Sequence, residues 1–286
     1  MVIRKSDFLD DRTFATRCNL ASKDIDRSLI ESLQSKGSNA NVLVEKCNIK
    51  TVLFDFDGTL EKWHINEKHA DEKIVKVLEK KLKAQKEIAR EEISYLFEMA
   101  KLKFIHGFPE PKYHGRDIWI EETLRMLDCT LSKTEIDELV ELYWQDINKR
   151  VELYPGSLDL LRSLRKRNYR IIMFSDSDGK KDIKMKRIKK LRIGKYFDAI
   201  YTSDDSKINK PHIECYEWLL KKEKLDPHEV ITIGDHPKTD HSIAKTLGMS
   251  TVWVKQGEFN SNTTYPYVDY TIHGIKNVLR IIDKLE

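Results

Sequence analysis

Over the second half of the chain, short continuous apolar runs alternate with stripes of helical spacing. Ile171 to Phe174, Ala199 to Thr202, Val230 to Ile233, Thr251 to Val254 and Tyr270 to Ile272 read as buried strands, with helices between them and another helix around Leu158 to Leu164. One more such run, Ile49 to Phe56, lies far upstream, broken only by Lys50, Thr51 and Asp55, and it ends in the turn signal Asp-Gly-Thr. From residue 61 to about 150 the pattern is helical throughout. Ile74, Leu78 and Leu82 recur every fourth position, Ile88, Ile93, Leu96, Phe97 and Ala100 follow, then Ile118, Leu124 and Leu127. Ser132-x-x-Glu135 makes a capping box before Ile136, Leu139, Val140, Tyr143, Trp144 and Ile147. Alternating strand and helix predicts an α/β core with a mostly parallel sheet, and one strand placed ahead of the helical block predicts an inserted all-helical domain. The expected organisation is an N-terminal extension over 1–48, an α/β core over 49–62 and 151–286, and a helical domain over 63–150. Within the extension, SKDIDRSLIESLQ is expected to form a helix capped by Ser22, and KGSNAN a linker.

Composition narrows the class. The 286 residues, 40% hydrophobic and 34% charged, describe a charged globular protein, not a disordered or fibrous one. Cys18, Cys47, Cys129 and Cys215 stand too far apart for a CxxC pair or a metal knuckle, and are read as reduced thiols. The first residues lack the apolar core of a signal peptide, and no run approaches the roughly 18 apolar residues of a membrane span. A cytoplasmic address with no membrane partner is expected. The net charge of +4 is too small to indicate nucleic acid.

In an open α/β sheet the loops at the carboxyl ends of the strands form the ligand crevice. The first strand ends in Asp55-Phe56-Asp57-Gly58-Thr59, the second in Ser175, and the fourth in Gly234-Asp235 with Asp240 five residues on; Lys210-Pro211 precedes the helix leading to that fourth strand. Carboxylates gathered in this way repel one another unless a cation neutralises them, and oxygen ligands without His or Cys favour Mg²⁺. A phosphate-bearing substrate completes the charge balance. A lysine and a hydroxyl can hold phosphoryl oxygens while one carboxylate acts as nucleophile.

These motifs resemble those of the haloacid dehalogenase superfamily. DFDGTL at 55–60 looks like the first motif, Ser175 the second, Lys210-Pro211 the third and GDHPKTD at 234–240 the fourth, in the family's order. The resemblance covers roughly residues 49–283. It implies a Rossmann-like parallel-sheet core with an inserted helical cap, and a Mg²⁺-dependent phosphatase acting on a small phosphorylated metabolite. By the same resemblance Asp55 would form an aspartyl phosphate and Asp57 would act as general acid and base. Ser175 and Lys210 would hold the phosphoryl group, and Gly58 and Thr59 would also bind it while shaping the loop beside it. Asp55, the main-chain carbonyl of Asp57 and Asp235 would hold Mg²⁺, with Asp240 in support. Dehalogenating relatives lack an acid two residues after the nucleophile, so Asp57 points to phosphate. Asp176 departs from the pattern, which more often has Asn there. A sugar phosphomutase shares the four motifs and stays open as an alternative, as does a binding protein using the N-terminal extension or the basic helix.

Residues 180–195 hold nine Lys/Arg and one Asp, so the apparent basicity of the chain is one local run. No aromatic residues interleave there to stack bases, which argues against nucleic acid. The expectation is a helix whose Ile183, Arg187, Ile188 and Leu191 stripe packs on the sheet while its lysines face water.

Overall fold

The structure is a computed structural model that describes residues 2–3, 13–15, 49–106, 115–179, 181–256, 259 and 261–285. The helix expected over residues 22–34 and the loop 107–114 lie outside the described residues, as do Cys18 and Cys47. Two compact units divide the chain, Met1–Lys46 and Cys47–Glu286. In the first, β1 (Val2–Ile3) and β2 (Thr13–Ala15) pair in parallel, Val2 opposite Thr13 and Ile3 opposite Ala15.

The second unit is built on six parallel strands: β3 (Thr51–Phe54), β4 (Arg170–Ser175), β5 (Ala199–Thr202), β6 (Val230–Gly234), β7 (Ser250–Val254) and β8 (Tyr270–Ile272). Their order in the sheet is β5-β4-β3-β6-β7-β8, which sets the first strand at the centre. From β3 the chain fills one side of the sheet, then crosses to the other, so the strand order reverses around β3. That reversal opens a crevice at the carboxyl ends of β4, β3 and β6. Phe54 lies opposite Met173 on one neighbour and Ile233 on the other, which brings the ends of all three strands level.

Both sheet faces are covered, which is why the strands read as continuous apolar runs. On one face Val52, Phe54, Ile171, Met173, Ile231, Ile233 and Val252 pack against α5 (Ser157–Lys166), α6 (Lys181–Leu191) and α10 (Val278–Leu285). On the other, Leu53, Ile172, Phe174 and Val230 meet α8 (Ile213–Glu223) and α9 (Ser242–Thr246). The one-turn α7 (Ser203–Ser206) follows β5. Cys129 and Cys215 are buried free thiols.

Between β3 and β4 run α1 (Trp63–Leu82), α2 (Arg90–His106), α3 (Arg116–Leu127) and α4 (Lys133–Arg150). They bury a core of their own that includes Trp63, Ile74, Leu78, Phe97, Trp119, Leu139 and Tyr143. The capping box at Ser132 forms, the Ser132 amide donating to Glu135 Oε2 at 2.9 Å and the Glu135 amide to Ser132 Oγ at 3.3 Å. Ile88 sits in the connection between α1 and α2 and still packs on this core. The two linkers into and out of the block run side by side: Lys62 N–H donates to Glu152 O at 2.9 Å and Tyr154 N–H to Leu60 O at 2.9 Å.

Candidate active site

The loop after β3 carries Asp55, Asp57, Gly58 and Thr59 into the crevice, β4 delivers Ser175, and the segment after β6 delivers Asp235 and Asp240. Lys210 comes from the segment ahead of α8. Its ammonium donates to Asp55 Oδ1 at 2.8 Å and to Asp240 Oδ1 at 2.6 Å, buried between the two acids. The Thr59 hydroxyl lies 3.1 Å from Asp55 Oδ2 and 3.1 Å from Asp235 Oδ1; having one proton, it can donate to only one of them at a time. It also accepts from the Asp235 amide at 3.0 Å, tying the first loop to the fourth.

Two glycines make this crowding possible. Gly58 has φ +76, and a Cβ there would lie 2.3 Å from Asp235 Oδ2. A Cβ on Gly234 would lie 2.2 Å from Asp240 Oδ2. Gly58→Ala is therefore expected to lose about 2 kcal/mol or more of stability and to displace Asp235, measured as a lower urea midpoint.

Asp55, Asp235 and Asp240 bring carboxylate oxygens within 4.8 Å of one another. Burial, reinforced by the neighbouring acids and only partly offset by Lys210, pushes the Asp55 carboxyl up to about 7. Burial also raises Asp235, against the His64 hydrogen bond that lowers it. Asp240 moves the other way: burial raises it, but Lys210 together with the neighbouring His241 and His236 lowers it further. Three buried acids with the single ammonium of Lys210 between two of them form a set short of positive charge. An all-oxygen donor set of this kind fits a hard divalent cation such as Mg²⁺.

Asp57 lies outside that carboxylate cluster. Its Oδ1 accepts from Arg187 Nη1 at 2.5 Å and its Oδ2 from the Lys184 ammonium. Although burial pushes it upward, the two cations hold its carboxyl well below the usual range. Lys184 also donates to Ser175 Oγ at 2.9 Å and faces Asp178 Oδ1 at 3.3 Å. Arg187 reaches Asp178 Oδ2 at 2.7 Å and Glu61 Oε2 at 3.1 Å, with its guanidinium over the rings of Phe56 and Trp63.

This corrects the reading of the basic run. Lys184 is buried in the site instead of facing water, since three acids and a hydroxyl meet α6 at its inner face. Ile183 packs on the helical block and not on the sheet. The signal was present in the spacing. Lys184 lies one turn before Ile188, and Arg187 within the apolar stripe itself, so both cations sit on the inward face of the helix that leaves the second motif. Asp178 and Glu61, their buried partners, had no such signal.

Asp176 does not point free charge at the crevice: its Oδ1 accepts from the Lys210 amide at 2.9 Å and so fastens the lysine's loop to the end of β4. His64, at the start of α1, sets Nε2 3.0 Å from Asp235 Oδ2, and Phe259 contacts both its ring and that of His236. Gln256 donates to the carbonyls of Gly58 at 3.2 Å and Thr59 at 2.6 Å, holding the first loop from the end of β7. No helix among the described residues is long and apolar enough to cross a membrane.

Comparison with known proteins agrees with this geometry. Residues 52–254 match the family model of haloacid dehalogenase-like hydrolases, and residues 1–47 match a separate domain of unknown function, DUF371. A glyceraldehyde 3-phosphate phosphatase of Pyrococcus furiosus is 26% identical over 239 residues, covering 82% of this chain and 94% of that one. The enzyme of the same name from Methanocaldococcus jannaschii is 29% identical over 133 residues, 46% of this chain; the match spans only 58% of that protein. Among solved structures, the magnesium-bound HAD-hydrolase YfnB of Bacillus subtilis superposes with a TM-score of 0.61 at 17% identity, over 82% of this chain and 99% of that one. With its family model matched over most of its length, the chain belongs to the haloacid dehalogenase-like hydrolases.

Proposed function

We propose that the protein hydrolyses a small phosphomonoester with Mg²⁺ as cofactor and Asp55 as nucleophile. The observation that carries this reading is the buried Asp55–Lys210–Asp240 array, in which one ammonium holds the candidate nucleophile and a second acid at hydrogen-bond distance. Lys210 fixes the orientation of Asp55 and can follow the charge that develops on the phosphoryl oxygens, while Asp240 fixes Lys210. The Ser175 hydroxyl holds another of those oxygens. An Asp55 oxygen attacks phosphorus, the bond to the substrate oxygen breaks, and Asp57, once it has taken up a proton from solvent, gives that oxygen the proton. Asp57 then takes a proton from the water that opens the aspartyl phosphate, which returns both acids to their starting states. Asp55, the carbonyl of Asp57 and Asp235 would hold Mg²⁺, with Asp240 beside them, and the ion would supply charge stabilisation for the transferring group.

The helices α1 to α4 act as a cap over the crevice, hinged at the paired linkers around residues 60–62 and 152–154. That arrangement suits small substrates, and triose phosphates head the candidates because two relatives are named for one. The full chain with Mg²⁺ is expected to release inorganic phosphate from at least one member of a panel of small phosphomonoesters, to stop when EDTA is added and to recover with excess Mg²⁺. Isomerised sugar phosphate in place of free phosphate would move the assignment to a phosphomutase, and no turnover on the panel would remove the hydrolase reading.

A further inference from the structure

The buried cations on α6 have no place in the four motifs, and Lys184 in particular is more than a counter-ion. Its ammonium has three oxygen partners: the Asp57 carboxylate, Ser175 Oγ at 2.9 Å and Asp178 Oδ1 at 3.3 Å. The first two are groups that the phosphatase reading gives to leaving-group protonation and to phosphoryl binding, so the ammonium stands where those two tasks meet. Because Lys184 donates into Ser175 Oγ, the hydroxyl's own proton remains for an outside acceptor. An oxygen accepting that proton comes within reach of the same ammonium.

Charge neutralisation alone needs less than this. Arg187 already holds the other oxygen of Asp57 at 2.5 Å and the other oxygen of Asp178 at 2.7 Å, and it is completely buried in doing so. Asp57, on the other hand, has a cation on each of its oxygens, and a carboxylate so held takes up a proton for a leaving oxygen far less readily. Some event in the catalytic cycle has to free one of them. The arriving phosphoryl group is the one participant that carries more negative charge than the carboxylate and docks on the hydroxyl beside it.

We propose that Lys184 is a second phosphoryl ligand, whose ammonium passes from Asp57 to an oxygen of the bound phosphoryl group and thereby frees an Asp57 oxygen to take up a proton from solvent, and to pass it to the leaving oxygen, only when substrate is present. The proposal rests on the phosphatase reading. It makes the site select for a doubly charged phosphoryl group held from two sides, by Lys210 from the segment before α8 and by Lys184 from α6. Lys184 then touches substrate, and is a catalytic residue in addition to positioning Asp57.

Inorganic phosphate binding to the full chain in Mg²⁺, followed by calorimetry, tests this in two backgrounds. Lys184→Met is expected to weaken phosphate binding about tenfold to a hundredfold, the range of a charge-assisted hydrogen bond, both in the otherwise native protein and when Asp57 is already Asn. Lys184→Arg, which keeps the charge and spares the fold if Met does not, is expected to recover most of the affinity. If Lys184→Met costs nothing once Asp57 is Asn, the lysine acts only through Asp57 and the proposal is overturned. If the native protein binds no phosphate in Mg²⁺, the phosphatase reading fails and takes this one with it; if it binds and Lys184→Met binds equally well, this inference fails alone.

Discussion

Asp55→Asn is expected to lower turnover by about 10⁴-fold or more, on the scale of losing a nucleophile, and to leave the fold intact. The amide has nearly the shape of the carboxylate, so Thr59 keeps its neighbour and Lys210 keeps Asp240 at 2.6 Å, but an amide oxygen does not form the covalent bond to phosphorus. Stability should move in the opposite direction from activity. Burial raises the Asp55 carboxyl to about 7, so the native state holds a proton that the unfolded chain gives up near 3.8. Native stability from this group therefore falls as pH rises from about 4 through 7, and above that window the ionised carboxyl works against the fold. Asn removes the penalty. At pH 8 in chelator the variant is expected to unfold at no lower a temperature than the native protein, and the stabilisation that Mg²⁺ gives the native protein should shrink. Retained turnover in a contamination-controlled assay would exclude Asp55 as nucleophile.

Sequence revealed the parts of this site that lie at the ends of strands. Asp55, Ser175 and Asp235 follow buried apolar runs directly, and a parallel sheet whose order reverses at its first strand leaves those ends nowhere to go but one crevice. Asp240 was the least marked of the acids. It gained its place because Gly234 lets its carboxylate approach the strand and because the backbone turns at Pro237–His241, returning it to Lys210. Lys184 was obscured for a different reason: a run of nine Lys/Arg over 180–195 reads as a solvated face when its charges are counted together. The inward side of α6 carries Lys184 and Arg187 at i and i+3, and their burial is decided by acids from two other segments, Asp57 and Glu61 after β3 and Asp178 after β4. Such partners are nonlocal, and only the fold brings them together. Glu61 shows the same dependence: an ordinary linker acid in sequence, it is buried against Arg187 and Asn66 in the structure, and burial raises its carboxyl to about 7.

Asp57→Asn is expected to separate the two halves of the reaction. Loss of a general acid costs typically 10²- to 10⁴-fold, and the cost scales with how badly the departing oxygen needs a proton. With an alkyl phosphate, whose alkoxide is a poor leaving group, the variant should be slow from the first turnover. With p-nitrophenyl phosphate, whose phenolate leaves without help, the first step should survive, and the second should stall because no base remains to deprotonate the hydrolytic water. The expected record is a burst of about one nitrophenolate per protein followed by slow release, with phosphate retained on the chain until it is quenched. Equal losses on both substrates with no burst would show that Asp57 serves no proton-transfer role. The stability change should again identify the environment, now with the sign reversed from Asp55. Burial raises Asp57, but Arg187 and Lys184 overcome it and hold the carboxyl low, so its contribution is present at neutral pH and lost as pH falls below the ordinary carboxylate range. Asn leaves two buried cations short of a counter-charge, which costs about 3 kcal/mol when one partner of a buried pair is removed. Two aspartates two residues apart thus respond oppositely to the same substitution, because Lys210 is shared between two acids at Asp55 whereas at Asp57 one acid is shared between two cations.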